Sequence, residues 1–136
     1  MEKILLINQN KDEVEDLKSK FTGMDYKVYS TDKSTRAMAM VDNDNISLVI
    51  MSYTQEDQNR VKFLEHAKKR YKGMKIILIS EIMNEQILSE VKGLIDSALI
   101  KPFDDQKLYE LVEKLIPMKK KESSLNTLDK KIFQTG

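Results

Sequence analysis

Five short apolar runs, separated by stretches of helical periodicity, constrain this chain's fold more than any other feature. They are KILLIN (3–8), YKVYS (26–30), ISLVIMS (46–52), KIILIS (75–80) and SALIK (97–101). Three are nearly continuous instead of alternating. A strand wetted on one face alternates, whereas a continuously apolar one is buried on both faces, as in a parallel sheet covered by helices.

The intervening segments carry helical spacing. Val14, Leu17 and Phe21 form the first stripe, and Asn10 with Glu13 three residues later reads as a capping box. Asp32 is placed to cap a second helix bearing Ala37, Met40 and Val41. Val61, Leu64, Ala67 or Lys68, and Tyr71 mark a third, with Gly73 placed to end it in a left-handed conformation. Ile82, Ile87, Leu88 and Val91 predict a short fourth helix, with Gly93 beyond it. Leu108, Leu111, Val112 and Leu115 predict a fifth, capped by Asp104 or Asp105 and closed by Pro117. Strand and helix alternate five times. This predicts an α/β fold, a (βα)5 doubly wound five-stranded parallel sheet between two helical layers. In such sheets chemistry gathers at the carboxyl ends of the strands. Those tips hold Asn8-Gln9-Asn10, Ser52-Tyr53, Ser80-Glu81 and Lys101-Pro102.

Composition narrows the chemistry. The 136 residues fit one domain and include no cysteine, so disulfides, thiolate metal sites and a cysteine nucleophile are excluded. A lone histidine, His66, cannot build a histidine-rich metal site. It lies beside the third apolar stripe and reads as a solvated helix position. The net charge of +1 gives no signal for polyanion binding. No apolar stretch is long enough to span a membrane, and no secretory leader is evident. The chain is expected to be cytoplasmic and to contact neither membrane nor nucleic acid by itself. We divide it into a domain over 1–117 and a polar basic tail or linker over 118–136. Leu125, Leu128 and Ile132 allow one short amphipathic helix in that tail. Its Lys119-Lys120-Lys121 run reads as solvated. Met38, Met40 and Met51 read as core filler.

The five β-α units, the polar strand tips and Lys101-Pro102-Phe103 resemble the receiver (CheY-like) domain of bacterial response regulators, over about residues 1–117. The resemblance implies a flavodoxin/CheY-like three-layer sandwich. It also implies a phosphorylation pocket at Asn8, Gln9, Ser52, Ser80 and Lys101. In the family an acidic pair ends strand one and holds Mg²⁺; here Asn8 and Gln9 stand there. Ser52 occupies the phosphoacceptor aspartate position. Ser80 and Lys101 match the family pattern, whereas Ala98 replaces the switch aromatic. The X-Pro bond after Lys101 is cis in the family.

Magnesium prefers charged oxygen ligands and dehydrates reluctantly. Phosphoryl transfer relies on it to neutralise developing charge. Amides and a serine hydroxyl that no base activates do not replace it. The expectation is a degenerate pseudo-receiver: non-enzymatic, without a cofactor or metal, and independent of phosphorylation. It would act by protein–protein contact or dimerisation in two-component-type signalling or transcriptional control. The resemblance places its working face near Glu85–Lys92 and Gln106–Lys114. Two alternatives stay open. One is a relocated phosphoacceptor at Asp57 or Ser52, although Asp57 reads more simply as a solvated loop acid. The other is a small-anion or ligand site near Lys101. Having lost its usual acidic neighbours, Lys101 must turn to carbonyls, solvent, Asp57 or an anion.

Overall fold

The computed structural model describes residues 2–117. The tail with its Leu125, Leu128 and Ile132 spacing, and Lys119-Lys120-Lys121, lies outside the described residues. Within them the order is β1 (Lys3–Ile7), α1 (Lys11–Gly23), β2 (Lys27–Thr31), α2 (Ser34–Asn43), β3 (Leu48–Ser52), α3 (Arg60–Arg70), β4 (Lys75–Ser80), α4 (Glu85–Val91), β5 (Ser97–Ile100) and α5 (Asp105–Leu115). All strand pairs are parallel, in the order β2-β1-β3-β4-β5. The doubly wound five-stranded sheet is therefore as the apolar runs predict, with strand ends within two residues of expectation.

The continuous runs are apolar because each strand feeds two cores. Leu5, Ile7, Val49, Met51, Ile76 and Leu78 face one layer, where Ala37, Val41, Phe63, Leu64, Ala67, Ile87 and Val91 from α2, α3 and α4 cover them. Ile4, Leu6, Leu48, Ile50, Ile77 and Ile79 face the other layer, against Leu17, Phe21, Leu108 and Val112 from α1 and α5. A strand's period of two sends neighbours to opposite cores. The edge strand β5 differs: Ser97 and Leu99 are half-buried, whereas Ala98 and Ile100 are exposed.

Several local expectations change in the folded chain. Asn10 does cap α1, its side chain accepting from the Glu13 amide at 3.0 Å. The reciprocal half of the box is not made, because the Glu13 side chain is used elsewhere and the Asn10 amide donates to Asn8 Oδ1. Asp32 does not cap α2. Lys33 is the capping position, and the carboxylate that serves the helix start comes from Asp57. Gly73 is not left-handed; α3 closes at Tyr71, and the described glycine with positive φ is Gly93, at 78°. The fourth helix starts only at Glu85, capped by Asn84, so Ile82 belongs to the loop before it. Asp104 caps α5. His66 is not merely solvated: its Nε2 lies 3.0 Å from Asp42 Oδ1, and the Tyr71 hydroxyl also donates to Asp42.

Candidate functional site

The parallel register brings the strand tips to one edge. The Tyr53 amide donates to the Ile79 carbonyl at 2.7 Å, and the Lys101 amide donates to the Ser80 carbonyl at 2.8 Å. Ser52, Ser80 and Lys101 consequently line one open cleft of about 470 Å³, with Tyr53, Glu56 and Glu81. The Lys101-Pro102 bond is cis. Gln9 does not join this cleft. Its Nε2 donates to the Asp32 carbonyl at 2.9 Å, and it lines a neighbouring cleft beside Asp57.

Asn8 joins the tips through a residue that the strand pattern does not reveal. Lys101 Nζ donates to Glu13 Oε2 at 2.5 Å, and Asn8 Nδ2 donates to Glu13 Oε1 at 2.7 Å. Glu13 rises from the first turn of α1, positioned by the Asn10 cap. Both of its carboxylate oxygens are used, and the side chains of Lys101 and Glu13 are only 29% and 31% exposed. Partial burial raises the Glu13 carboxyl's pKa, but the Lys101 hydrogen bond, the Asn8 amide and the Lys101 charge outweigh that and hold it below its ordinary value. Lys101 thus turns to Glu13. No local pattern announces this pair: in the sequence Glu13 reads only as the capping-box partner of Asn10.

The remaining tip residues are quiet. Ser80 is buried and serves its own loop, with Oγ donating to the Ile82 carbonyl at 2.5 Å and accepting from the Ile82 amide at 3.3 Å. Ser52 Oγ has no hydrogen-bond partner among the described residues, so no base activates it there. Ala98 pairs in register with Leu78 and leaves an exposed position on the α4 side of β5.

Asp57 is half-buried rather than a solvated loop acid. Its Oδ2 accepts from the Ser34 amide at 3.0 Å and the Ser34 hydroxyl at 2.5 Å, and its Oδ1 accepts from the Asn59 amide at 3.1 Å. It therefore ties the loop after β3 to the start of α2. A second tie starts from the first residue of α3. Arg60 makes a two-pronged bond to Glu90 on α4, Nε to Oε2 at 2.7 Å and Nη2 to Oε1 at 2.9 Å. Its guanidinium stacks 4.9 Å from the Tyr53 ring centre and donates to the Asp57 carbonyl at 2.9 Å. The Glu90 hydrogen bond raises the Arg60 pKa further. Thirty residues separate the partners, and no local pattern announces such a pair.

These donors do not fit magnesium. Amide and hydroxyl groups stand at the tips, and Glu13 already spends both oxygens on Lys101 and Asn8. Glu56 and Glu81 stand on the cleft wall, but no three metal-ligating acidic or histidine side chains converge among the described residues.

No protein-family model and no curated protein matches the sequence. Solved structures do match. A two-component response regulator from Clostridium difficile superposes with a TM-score of 0.76 at 18% identity, covering 88% of this chain and 98% of its own. The fold is the receiver fold. The Vibrio cholerae chemotaxis protein CheY4 matches at a TM-score of 0.75 and 16% identity, over 85% of this chain and 99% of its own. The pseudo-receiver domain of the CikA protein matches at 0.65 and 19%, over 86% and 98%. The chain thus shares the fold of these receiver domains. No helix among the described residues is long and apolar enough to cross a membrane.

Proposed function

We propose that this receiver-fold chain is a pseudo-receiver: a non-enzymatic signalling module that works without phosphorylation, in the cytoplasm, through contact with another protein or a second copy of itself. Two-component-type signalling or transcriptional control is the setting that its fold suggests. The observation that carries this reading is the Glu13–Lys101 pair. The cation that would meet an incoming phosphoryl group is already neutralised from within the chain. The amide and hydroxyl tips supply no charged magnesium ligand, and Ala98 supplies no ring to relay a signal.

The same contacts weigh against the alternatives. Asp57 is committed to Ser34 and Asn59, so its oxygens are poor candidates for a relocated phosphoacceptor. An anion at Lys101 would have to displace Glu13. For a working face, the exposed Leu88 on α4 and Ile100 on β5 favour the surface formed by α4, β5 and α5. Incubation with a small phosphodonor and Mg²⁺, read by intact mass, tests the proposal. The expected result is an unchanged mass. A single added phosphate that disappears in Asp57→Asn or Ser52→Ala would overturn it.

A further inference from the structure

Charge on this molecule is sorted by layer. Phe63, Leu64 and Ala67 turn α3 toward the sheet, so at 100° per residue its outward row is Lys62, Glu65 and Lys69. Arg70 and Lys72 continue that surface and are exposed with it. Two other cations of the segment are answered from within the chain, Arg60 by Glu90 and Lys68 by Asp96. That leaves Lys62, Lys69, Arg70, Lys72 and Lys75 against Glu65, a net +4 over 60–75. Among the described residues only Arg70 of these five has an ion pair, at 3.9 Å to an Asp42 already shared with His66 and Tyr71. The negative end of the α3 dipole accounts for Lys69 and Arg70, but Lys62 stands in the first turn, where the dipole opposes it.

The opposite layer has the opposite sign. The segments 11–25 and 104–115, which hold α1, the turn after it and α5, carry eight acids besides the Lys101-bound Glu13, against five lysines, a net −3. A cleft of about 660 Å³ opens there between the turn and α5. Asp25, Glu110 and Glu113 line it, with Lys114 as its one cation. Asp25 and Glu110 make no ion pair among the described residues. Asp25 takes a left-handed φ of 72°, where glycine is least strained, and so keeps a charged residue in the wall. Burial, then the charges of Glu113 and Glu2, push the Tyr26 hydroxyl of the same wall up to about 12. Two helix layers with the sheet between them hold the basic and acidic faces more than about 20 Å apart, beyond the Debye length of about 8 Å at physiological salt. They do not neutralise each other within one molecule.

We propose that copies of this chain associate head to tail, the outer face of α3 in one copy seating its lysines in the Asp25–Glu110 cleft of the next. The occupant is a second copy because both halves of the charge complementarity stand on the same chain. Each copy offers the two faces on opposite sides of its sheet, so the contact is heterologous and does not close into a dimer. It rests on the second-copy branch of the proposed function, on surfaces apart from the strand tips and the α4–β5 edge.

Sedimentation equilibrium of the full chain tests this at about 0.01 M and about 1 M salt, where the Debye length is about 30 and about 3 Å. The expected result is a weight-average mass that climbs with concentration past that of a dimer at low salt and stays monomeric at high salt. Two variants at exposed positions then separate the faces. Lys69→Gln with Lys72→Gln neutralises α3, and Asp25→Asn with Glu110→Gln neutralises the cleft, asparagine being tolerant of the left-handed turn. Each variant alone should stay monomeric at low salt. Their equimolar mixture should form dimers and stop there, because each pair keeps one intact α3 face and one intact cleft. A monomer at every concentration overturns the inference and leaves the α3 lysines to an acidic partner of another kind. A closed dimer of the parent, association that survives high salt, or a mixture that stays monomeric overturns it as well. A phosphate found by mass would refute the proposed function without touching this result.

Discussion

Replacing Glu13 by Gln keeps the side chain's shape and removes the charge that Lys101 holds. At 2.5 Å and an effective dielectric near 20, the bare Coulomb attraction is about 6–7 kcal/mol. Most of that is offset by desolvation and by ordering two long side chains. Exposed pairs net about 0.2–1 kcal/mol, and hydrogen bonds to charged groups about 1.5–3 kcal/mol. With side chains roughly 30% exposed, the Glu13–Lys101 pair falls between, at about 1–2 kcal/mol. Urea unfolding of the parent, Glu13→Gln, Lys101→Met and the double variant gives this as a coupling energy. With an m-value of about 1–3 kcal/mol per molar, Glu13→Gln should lower the midpoint by about 0.3–2 M. The pH dependence follows from the direction of the Glu13 shift. Its folded pKa lies below the ordinary value of 4.5. The stabilisation is therefore fully present above that value and is lost as pH falls through the lower folded pKa. Coupling should persist from pH 7 to 5 and decline as pH falls below 4.5. A coupling below about 0.3 kcal/mol at pH 7, or one that grows as pH falls below 4.5, would refute the internal-counterion reasoning.

Asp57→Ala should cost about 2 kcal/mol, because Ser34, fully buried, loses the acceptor for both its amide and its hydroxyl; chemical denaturation at pH 7 reads it, and a neutral outcome would remove Asp57 as the cap of α2. Glu90→Gln should loosen α4 by about 1–2 kcal/mol, discounted from a fully buried pair because the partners are 16% and 19% exposed. Hydrogen exchange should then quicken in α4 while β1 and β3 stay protected, and uniform quickening would contradict a local strut. Phe63→Ala should cost about 3–5 kcal/mol through the cavity left between α3 and the sheet, measured as a lower urea midpoint.

How much of this was legible in the sequence differs by element. The runs KILLIN, ISLVIMS and KIILIS announce a doubly covered parallel sheet, because a strand facing two cores has no position free for a polar residue. The Leu108 and Val112 stripe and the Asp104 cap announce α5 for similar local reasons. Ser80 and Lys101 fall in one cleft because their strands end together. Gln9 is adjacent to Asn8 in sequence yet turns to the Asp32 carbonyl, since consecutive residues past a strand end point to different sides. Ile82 and Leu88 fit the apolar pattern of a helix, but α4 needs only Ile87 and Val91 to reach the sheet, so both are left outside.

The sequence by itself determined the layers, the order of the elements and the amide and hydroxyl side chains at Asn8, Gln9, Ser52 and Ser80. These follow from hydrophobic periodicity and residue chemistry, which are local properties. Only the tertiary structure decided where the remaining charges went. Glu13 meets Lys101 across 88 residues, Asp57 meets Ser34 across 23, and Arg60 meets Glu90 across 30. A charged side chain leaving water takes whichever opposite charge or hydrogen-bond donor the packing brings within about 3 Å. That partner is set by how α1, α2 and α4 lie on the sheet, which no local pattern encodes.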